Sequence, residues 1–135
     1  MFHIEVRPEP SDIDELDHVS NLVYLRWVQQ VAVAHSDAVG WTFDAYRRLG
    51  AVWLVKRHEL DYQRPARLGD TLTLRTWVGQ WSRASCWRET RICRDETVLV
   101  QARTRWAFVD LTRGRPCRIP DELMLTFGGN PSPPA

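Results

Sequence analysis

Asp12-Ile13-Asp14-Glu15-Leu16-Asp17-His18-Val19-Ser20-Asn21-Leu22-Val23-Tyr24-Leu25-Arg26-Trp27 joins three aspartates and a histidine to an apolar run without a break. The apolar part continues through Val28, Val31, Ala32, Val33, Ala34 and Ala38 to Val39. It forms a helix that is apolar around most of its circumference, with Arg26, Gln29, Gln30 and His35 as exceptions. Such a helix needs cover on several sides, so the rest of the chain is expected to wrap it. Acids at a helix entrance have two readings. They complement the helix dipole, or one of them acts on a polarised carbonyl whose developing charge is held by the unpaired N–H groups of the first turn.

Outward from this stretch the texture is β. Phe2, Ile4 and Val6 alternate with polar residues as a strand with one buried face, and Pro8 and Pro10 stop it. Gly40 caps the long helix. Thr42 starts a short second one that has Asp44 early, Arg47 and Arg48 late, and Gly50 at its end. Strands follow at Val52 to Gln63, Thr71 to Val78, Ala84 to Arg94 and Thr97 to Asp110, joined by turns, with a short helix at Asp121 to Leu125. One strand, a buried helix and a run of strands predict an α+β domain with a mostly antiparallel, curved sheet of about five strands around one long central helix. The domain spans residues 1–127, and 128–135, rich in Gly, Ser and Pro, is a flexible tail.

Bulk properties narrow the function classes. A chain of 135 residues with 44% hydrophobic residues and a net charge of +1 has a core and no general attraction to nucleic acid. Seventeen of its eighteen basic residues are Arg, which suits bidentate contacts to carboxylate or phosphate and equally reflects base composition. Cys86, Cys93 and Cys117 are odd in number and lack metal-binding spacing, so they read as free thiols. No stretch reads as a leader or a membrane span, which makes the cytoplasm the expected location.

Two motifs then carry a family resemblance. The first is Asp12-x-Asp14-x-x-Asp17-His18-Val19-x-Asn21-x-x-Tyr24-Leu25, and the second is Asp61-Tyr62-x-Arg64-Pro65-Ala66-x-Leu68-Gly69-Asp70. In this order they resemble the hotdog-fold acyl-CoA thioesterases of the 4-hydroxybenzoyl-CoA thioesterase group, over residues 1 to about 126. The resemblance implies that Asp14 is the catalytic carboxylate, as nucleophile or as base on a water, while Asp12 is structural. It implies that N–H groups near Asn21 hold the thioester oxygen, that no metal or other cofactor is required beyond the coenzyme A of the substrate, and that the site lies between subunits of a homodimer or homotetramer. The chain departs from the pattern at Asp17, where relatives carry Gly, and at Gln29, where many carry Glu.

Other candidates follow from residue chemistry. His18 either donates to the thioester oxygen and holds Asp14, or caps the helix. Asp17 either shifts or shares the work of Asp14, and Gln29 orients a water or the substrate amide. Tyr24 reads as packing, with a place beside the substrate as the second reading. Arg64, Arg67, Arg83 and Arg88 are candidates for coenzyme A phosphates, with Ser85 beside Arg83 at a strand entry. His35 and His58 read as structural. Trp77 points away from Leu72 and Leu74 and hints at a subunit interface. Against thioester hydrolysis stand an enoyl-thioester hydratase, which the spacing of Asp14 to His18 disfavours, and a non-catalytic acyl-thioester binder.

Overall fold

The computed structural model describes residues 1–131. Five strands form one antiparallel sheet: β1 (Phe2–Val6), β2 (Ala51–Tyr62), β3 (Leu72–Gly79), β4 (Ser85–Arg94) and β5 (Thr97–Asp110). Three helices accompany them, α1 (Asn21–Ala38), α2 (Phe43–Leu49) and α3 (Asp121–Thr126). The order across the sheet is β1-β3-β4-β5-β2. Strands β3, β4 and β5 are sequential hairpins, so the first strand and the one after the helices are left to the two edges. The chain must therefore cross the whole sheet between β1 and β2, and α1 makes that crossing against one face. The expected strands and helices all form, and their observed ends fall within a residue or two of the expected ones.

Val23, Tyr24, Trp27, Val28 and Val31 of α1 pack on Leu72, Leu74, Ile92, Val100 and Ala102 of the sheet. Each such side chain contributes about 1.5–3 kcal/mol when fully buried. A second cluster joins Tyr46 of α2, Phe108 of β5 and Leu123, Met124 and Phe127 at the C-terminal end. The short helix α2 is set by its ends: the Thr42 hydroxyl accepts the Ala45 N–H at 3.2 Å, and Gly50 takes the left-handed conformation at φ 88°.

The cover on α1 differs from expectation. The sheet buries one side of the helix, and Leu22 and Val33 on the other side are 77% and 58% exposed, with Arg26, Gln29 and Gln30 also open. A single chain has only one sheet to offer. Trp77 does lie on the outer sheet face, where the Arg91 guanidinium sits 5.1 Å from its ring centre; Arg103 covers Trp87 in the same way at 4.3 Å. Residues 132–135 of the expected tail lie outside the described residues. Before them, the Gly129 N–H bonds to the Met124 carbonyl at 2.8 Å, and a Cβ at Gly129 would collide with Met124 and Trp81. No helix among the described residues is long and apolar enough to cross a membrane.

Candidate active site

The acidic stretch folds into a tight loop between a 3-10 turn at Pro10–Asp12 and the start of α1. Asp12 anchors it. Its carboxylate accepts the Glu9 N–H at 2.9 Å and the Arg26 guanidinium at 2.8 Å, and its carbonyl accepts the Ser20 N–H at 2.9 Å. Burial pushes this acid up, but the Glu9 N–H and Arg26 outweigh burial and hold its pKa below the usual value. Asp12 is thus buried and committed to joining the loop to the helix.

Asp14 is different. It is exposed, and one carboxylate oxygen accepts the Leu16 N–H at 2.9 Å and, more weakly, the His18 N–H at 3.4 Å. Its other oxygen has no partner among the described residues. The loop closes through Asp14 N–H to the His18 carbonyl at 2.8 Å and a bridge between Ile13 and Val19. At its tip Asp17 takes φ 59°, a left-handed backbone conformation. That explains the departure from Gly: the position demands a residue that tolerates positive φ, and Asp is among the few that do. The Asp17 side chain is exposed, as the tip of a turn.

Ser20 caps α1, its hydroxyl accepting from Leu22 N–H at a long 3.4 Å. The Asn21 N–H has no acceptor among the described residues, so the positive end of an 18-residue helix opens where the Asp14 loop, tied back by the Ser20 N–H to the Asp12 carbonyl, runs into it. His18, half-buried, lies between them in sequence and gives its backbone to the loop. The second motif is bound to the first through one buried residue. Ala66 donates its N–H to the Tyr24 hydroxyl at 2.9 Å and accepts the Val19 N–H at 2.9 Å. Tyr24 is 2% exposed and its hydroxyl is spent on this contact; burial, more than any neighbouring charge, raises its pKa. Asp70 closes the second motif's turn on the Arg67 N–H at 2.9 Å and pairs with Arg94 at 2.8 Å.

The remaining sequence candidates scatter. Arg64 is exposed at the end of β2, on the Asp14 side of the molecule, where its N–H bonds to Leu99. Gln29 is exposed on the open side of α1. Arg83 sits in the β3–β4 turn and Ser85 opens β4 opposite Ala107, at the opposite end of the sheet. Arg88 is not a surface phosphate ligand: it is 6% exposed under α1, because alternation along β4 places it with Cys86, Thr90 and Ile92 on the helix-facing side.

Arg88 borders a largely apolar cavity, about 340 Å³ in volume, walled by Val33, Trp41, Trp53, Trp81, Trp106 and Phe127 among others. The cavity adjoins the last turns of α1, and none of Asp14, His18 or Asn21 reaches it. Asn21 and Ala32 are about 16 Å apart along the helix axis. Arg88 donates from Nη1 to His35 Nδ1 at 2.9 Å and to the Thr76 hydroxyl at 3.1 Å. His35 is held between Phe2 and Phe127, with ring centres at 4.9 and 5.0 Å. Burial and the neighbouring Arg88 push its pKa down to about 4, so it is neutral and accepts at Nδ1. His58 bonds to the Thr104 hydroxyl at 2.9 Å. Sequence reasoning missed the polar cluster around Arg88, although the β4 alternation already carried its signal.

The family model described as the thioesterase-like superfamily matches residues 8–127. The chain is 26% identical over 127 residues to the acyl-CoA thioesterase YbgC of Haemophilus influenzae, covering 93% of each protein. It is 25% identical over 126 residues to the chloroplastic acyl-[acyl-carrier-protein] hydrolase FATB3 of Cuphea viscosissima, of whose length it spans 30%. The crystal structure of Slr0204, a 1,4-dihydroxy-2-naphthoyl-CoA thioesterase from Synechocystis, superposes with a TM-score of 0.85 at 17% identity, covering 98% of both chains. That likeness establishes the hotdog fold.

Proposed function

The chain belongs to the thioesterase-like superfamily, and from that premise we propose that it hydrolyses acyl-CoA thioesters to the free acid and coenzyme A. The observation that carries this reading is the juxtaposition of Asp14, with one free carboxylate oxygen, and the open N-terminus of α1 at Asn21. The thioester carbonyl oxygen accepts from the Asn21 N–H, which polarises the carbon. Asp14 takes a proton from a water that attacks that carbon, and the tetrahedral oxyanion is stabilised by the helix N-terminus. Collapse breaks the C–S bond, and the proton on Asp14 passes to the departing thiolate. The Leu16 and His18 N–H groups keep the carboxylate in place. The reaction needs water and no other co-reactant. Three free thiols suit a reducing cytoplasm as its location.

The acyl site is supplied by a second copy of the chain in this reading. Strand β2 is an edge, with its outer side unpaired. The cavity borders its start at Val52, Trp53 and Leu54, whereas Tyr62 at its end reaches the Asn21 carbonyl at 3.5 Å. Within one chain these two places are at opposite ends of a strand about 40 Å long. Two β2 strands paired about a two-fold axis near Lys56 bring the Asp14 loop of each protomer to the cavity of the other. The same pairing covers Leu54, 45% exposed, and faces the open sides of the two α1 helices toward each other.

The test is thiol release from a panel of short, long, branched and aromatic acyl-CoAs. Asp14→Asn should lower kcat/KM on the best substrate by about 10²–10⁴-fold with an unchanged thermal midpoint, and the active protein should sediment above its 15.8 kDa chain mass as a dimer or larger. Full activity in Asp14→Asn removes Asp14 from the chemistry; an active monomer removes the shared site.

A further inference from the structure

Among the described residues, Arg88 is the buried cation that no acid neutralises. The other well-placed arginines have carboxylate partners at 2.8 Å: Arg26 with Asp12, Arg94 with Asp70 and Arg103 with Glu89. Arg88 forms no ion pair among the described residues, although it is 6% exposed, and burial of an unpaired charge is costly. Its Nη1 is used by His35 and Thr76, its guanidinium carbon lies 5.7 Å from the Phe127 ring centre, and its Nε and Nη2 have no acceptor among the described residues. The described titratable groups packed against it supply no negative charge. His35 is neutral at neutral pH. Burial pushes the Cys86 thiol up to about 12 and raises Tyr46 as well, so both stay protonated. Burial lowers Arg88 itself to about 10, which leaves it charged. Asp37 borders the same cavity but is exposed on the last turn of α1 and does not pair with it.

A second orphan donor lies beside it. The Trp106 Nε1–H is buried without a partner among the described residues, and Trp106 borders the cavity. Cys86 pairs with Trp106 and Arg88 with Thr104 in the β4–β5 register, so Arg88 and Trp106 are diagonal neighbours on one sheet face, within reach of a single small group. Most of the rest of the wall is apolar: Ala32, Val33, Trp53, Val78 and Phe127 offer only van der Waals contact, while Ser36 and Tyr46, whose hydroxyls bond to each other at 2.7 Å, and the exposed Asp37 are its other polar members. A mostly apolar cavity bordered by a guanidinium fork and an indole N–H suits a hydrocarbon chain ending in a carboxylate.

We propose that this cavity holds the far end of the acyl group and that Arg88, helped by Trp106 Nε1–H, selects acyl groups terminating in a carboxylate. The location of the site stands on geometry alone; its assignment to a thioester substrate rests on the thioesterase reading above. Two measurements separate them. Trp41, Trp53, Trp81 and Trp106 all border the cavity, so their fluorescence reports filling without any turnover. Octanoate should bind the wild-type protein at least roughly 10-fold more tightly than octanol, and Arg88→Met should abolish that difference, as expected for charge-assisted hydrogen bonds. Arg88→Lys, which keeps the charge without the fork, should fall between them. In the second measurement, the ratio of kcat/KM for suberyl-CoA to that for octanoyl-CoA should exceed one and fall roughly 10- to 100-fold in Arg88→Met, with a smaller fall in Trp106→Phe. Equal binding of octanol and octanoate, or a ratio that Arg88→Met leaves unchanged, overturns the proposal. Carboxylate binding that depends on Arg88 in a protein that cleaves no thioester would keep the site and sink the hydrolase reading. Hydrolysis of both thioesters without preference would do the reverse.

Discussion

Replacing Tyr24 with Phe removes one oxygen atom from the junction of the two sequence motifs and leaves the ring in place. The ring keeps its edge contact with Trp27, with centres 5.8 Å apart, and its packing on Tyr62 at 5.7 Å. What is lost is the acceptor for the Ala66 N–H at 2.9 Å. Ala66 is 0% exposed and Tyr24 2%, so the freed N–H finds no ready replacement. Orphaning a buried donor costs about 1–3 kcal/mol, more than the net value of an average exchanged hydrogen bond. For a chain of this size each kcal/mol moves the thermal midpoint by roughly 3–5 °C, so a fall of about 3–15 °C is expected. Urea denaturation should show a lower midpoint with an unchanged slope, because the surface exposed on unfolding is the same. Amide exchange should quicken first at Ala66 and Val19, whose N–H groups share this junction. A stability change below about 0.5 kcal/mol would refute the reasoning, since it would mean that the two motifs are held together by contacts other than this one.

Two further perturbations probe the loop and the polar cluster. At Asp17, φ 59° makes Gly and Asp near equivalents, because relief of left-handed strain is offset by the greater freedom of Gly in the unfolded chain. Asp17→Gly should stay within about 0.5 kcal/mol of wild type while Asp17→Val loses roughly 1–2 kcal/mol; equal stability of the two variants would contradict the turn geometry. Stability should also fall in acid through His35. Its pKa is about 4 in the folded protein against an ordinary 6.5, so the unfolded chain takes up the proton first. The His35 contribution is whole above pH 6.5 and is lost as pH falls toward 4, amounting to about 1–2 kcal/mol once partial exposure is allowed for. Asp12, whose pKa is depressed below 3.8, gives up its share only at lower pH. Denaturation across this range should show a slope that His35→Asn removes, and an unaltered slope in that variant would assign it to another group.

The elements were legible because each is fixed locally. Alternation marked β1 and β5, Thr42 and Gly50 bracketed α2, and the long apolar run marked α1. What the sequence hid was tertiary. The two motifs read as separate matches, whereas the backbone of Ala66 makes them one structure, a link across 42 positions to Tyr24 that no local pattern encodes. Asp17 read as an extra acid because one-dimensional sequence carries no φ angle. Alternation along β4 placed Arg88 on the core side, but whether an acid meets it there depends on what β3, β5 and α1 bring, and they bring His35 and Thr76. The apolar character of α1 was real, yet the sheet covers only one side of it and leaves Leu22 and Val33 exposed, which periodicity alone does not reveal.

The left-handed turn at Asp17 also bears on how such loops diverge. Gly, Asp and Asn are the residues that accept this backbone conformation most readily, and in the genetic code the Asp codons lie one base change from Gly and one from Asn. The position can therefore drift among the three without passing through a residue that breaks the turn. A motif written with an invariant glycine there records a torsion angle in the alphabet of side chains. A search pattern that asked for the angle would admit this chain without treating its aspartate as a departure.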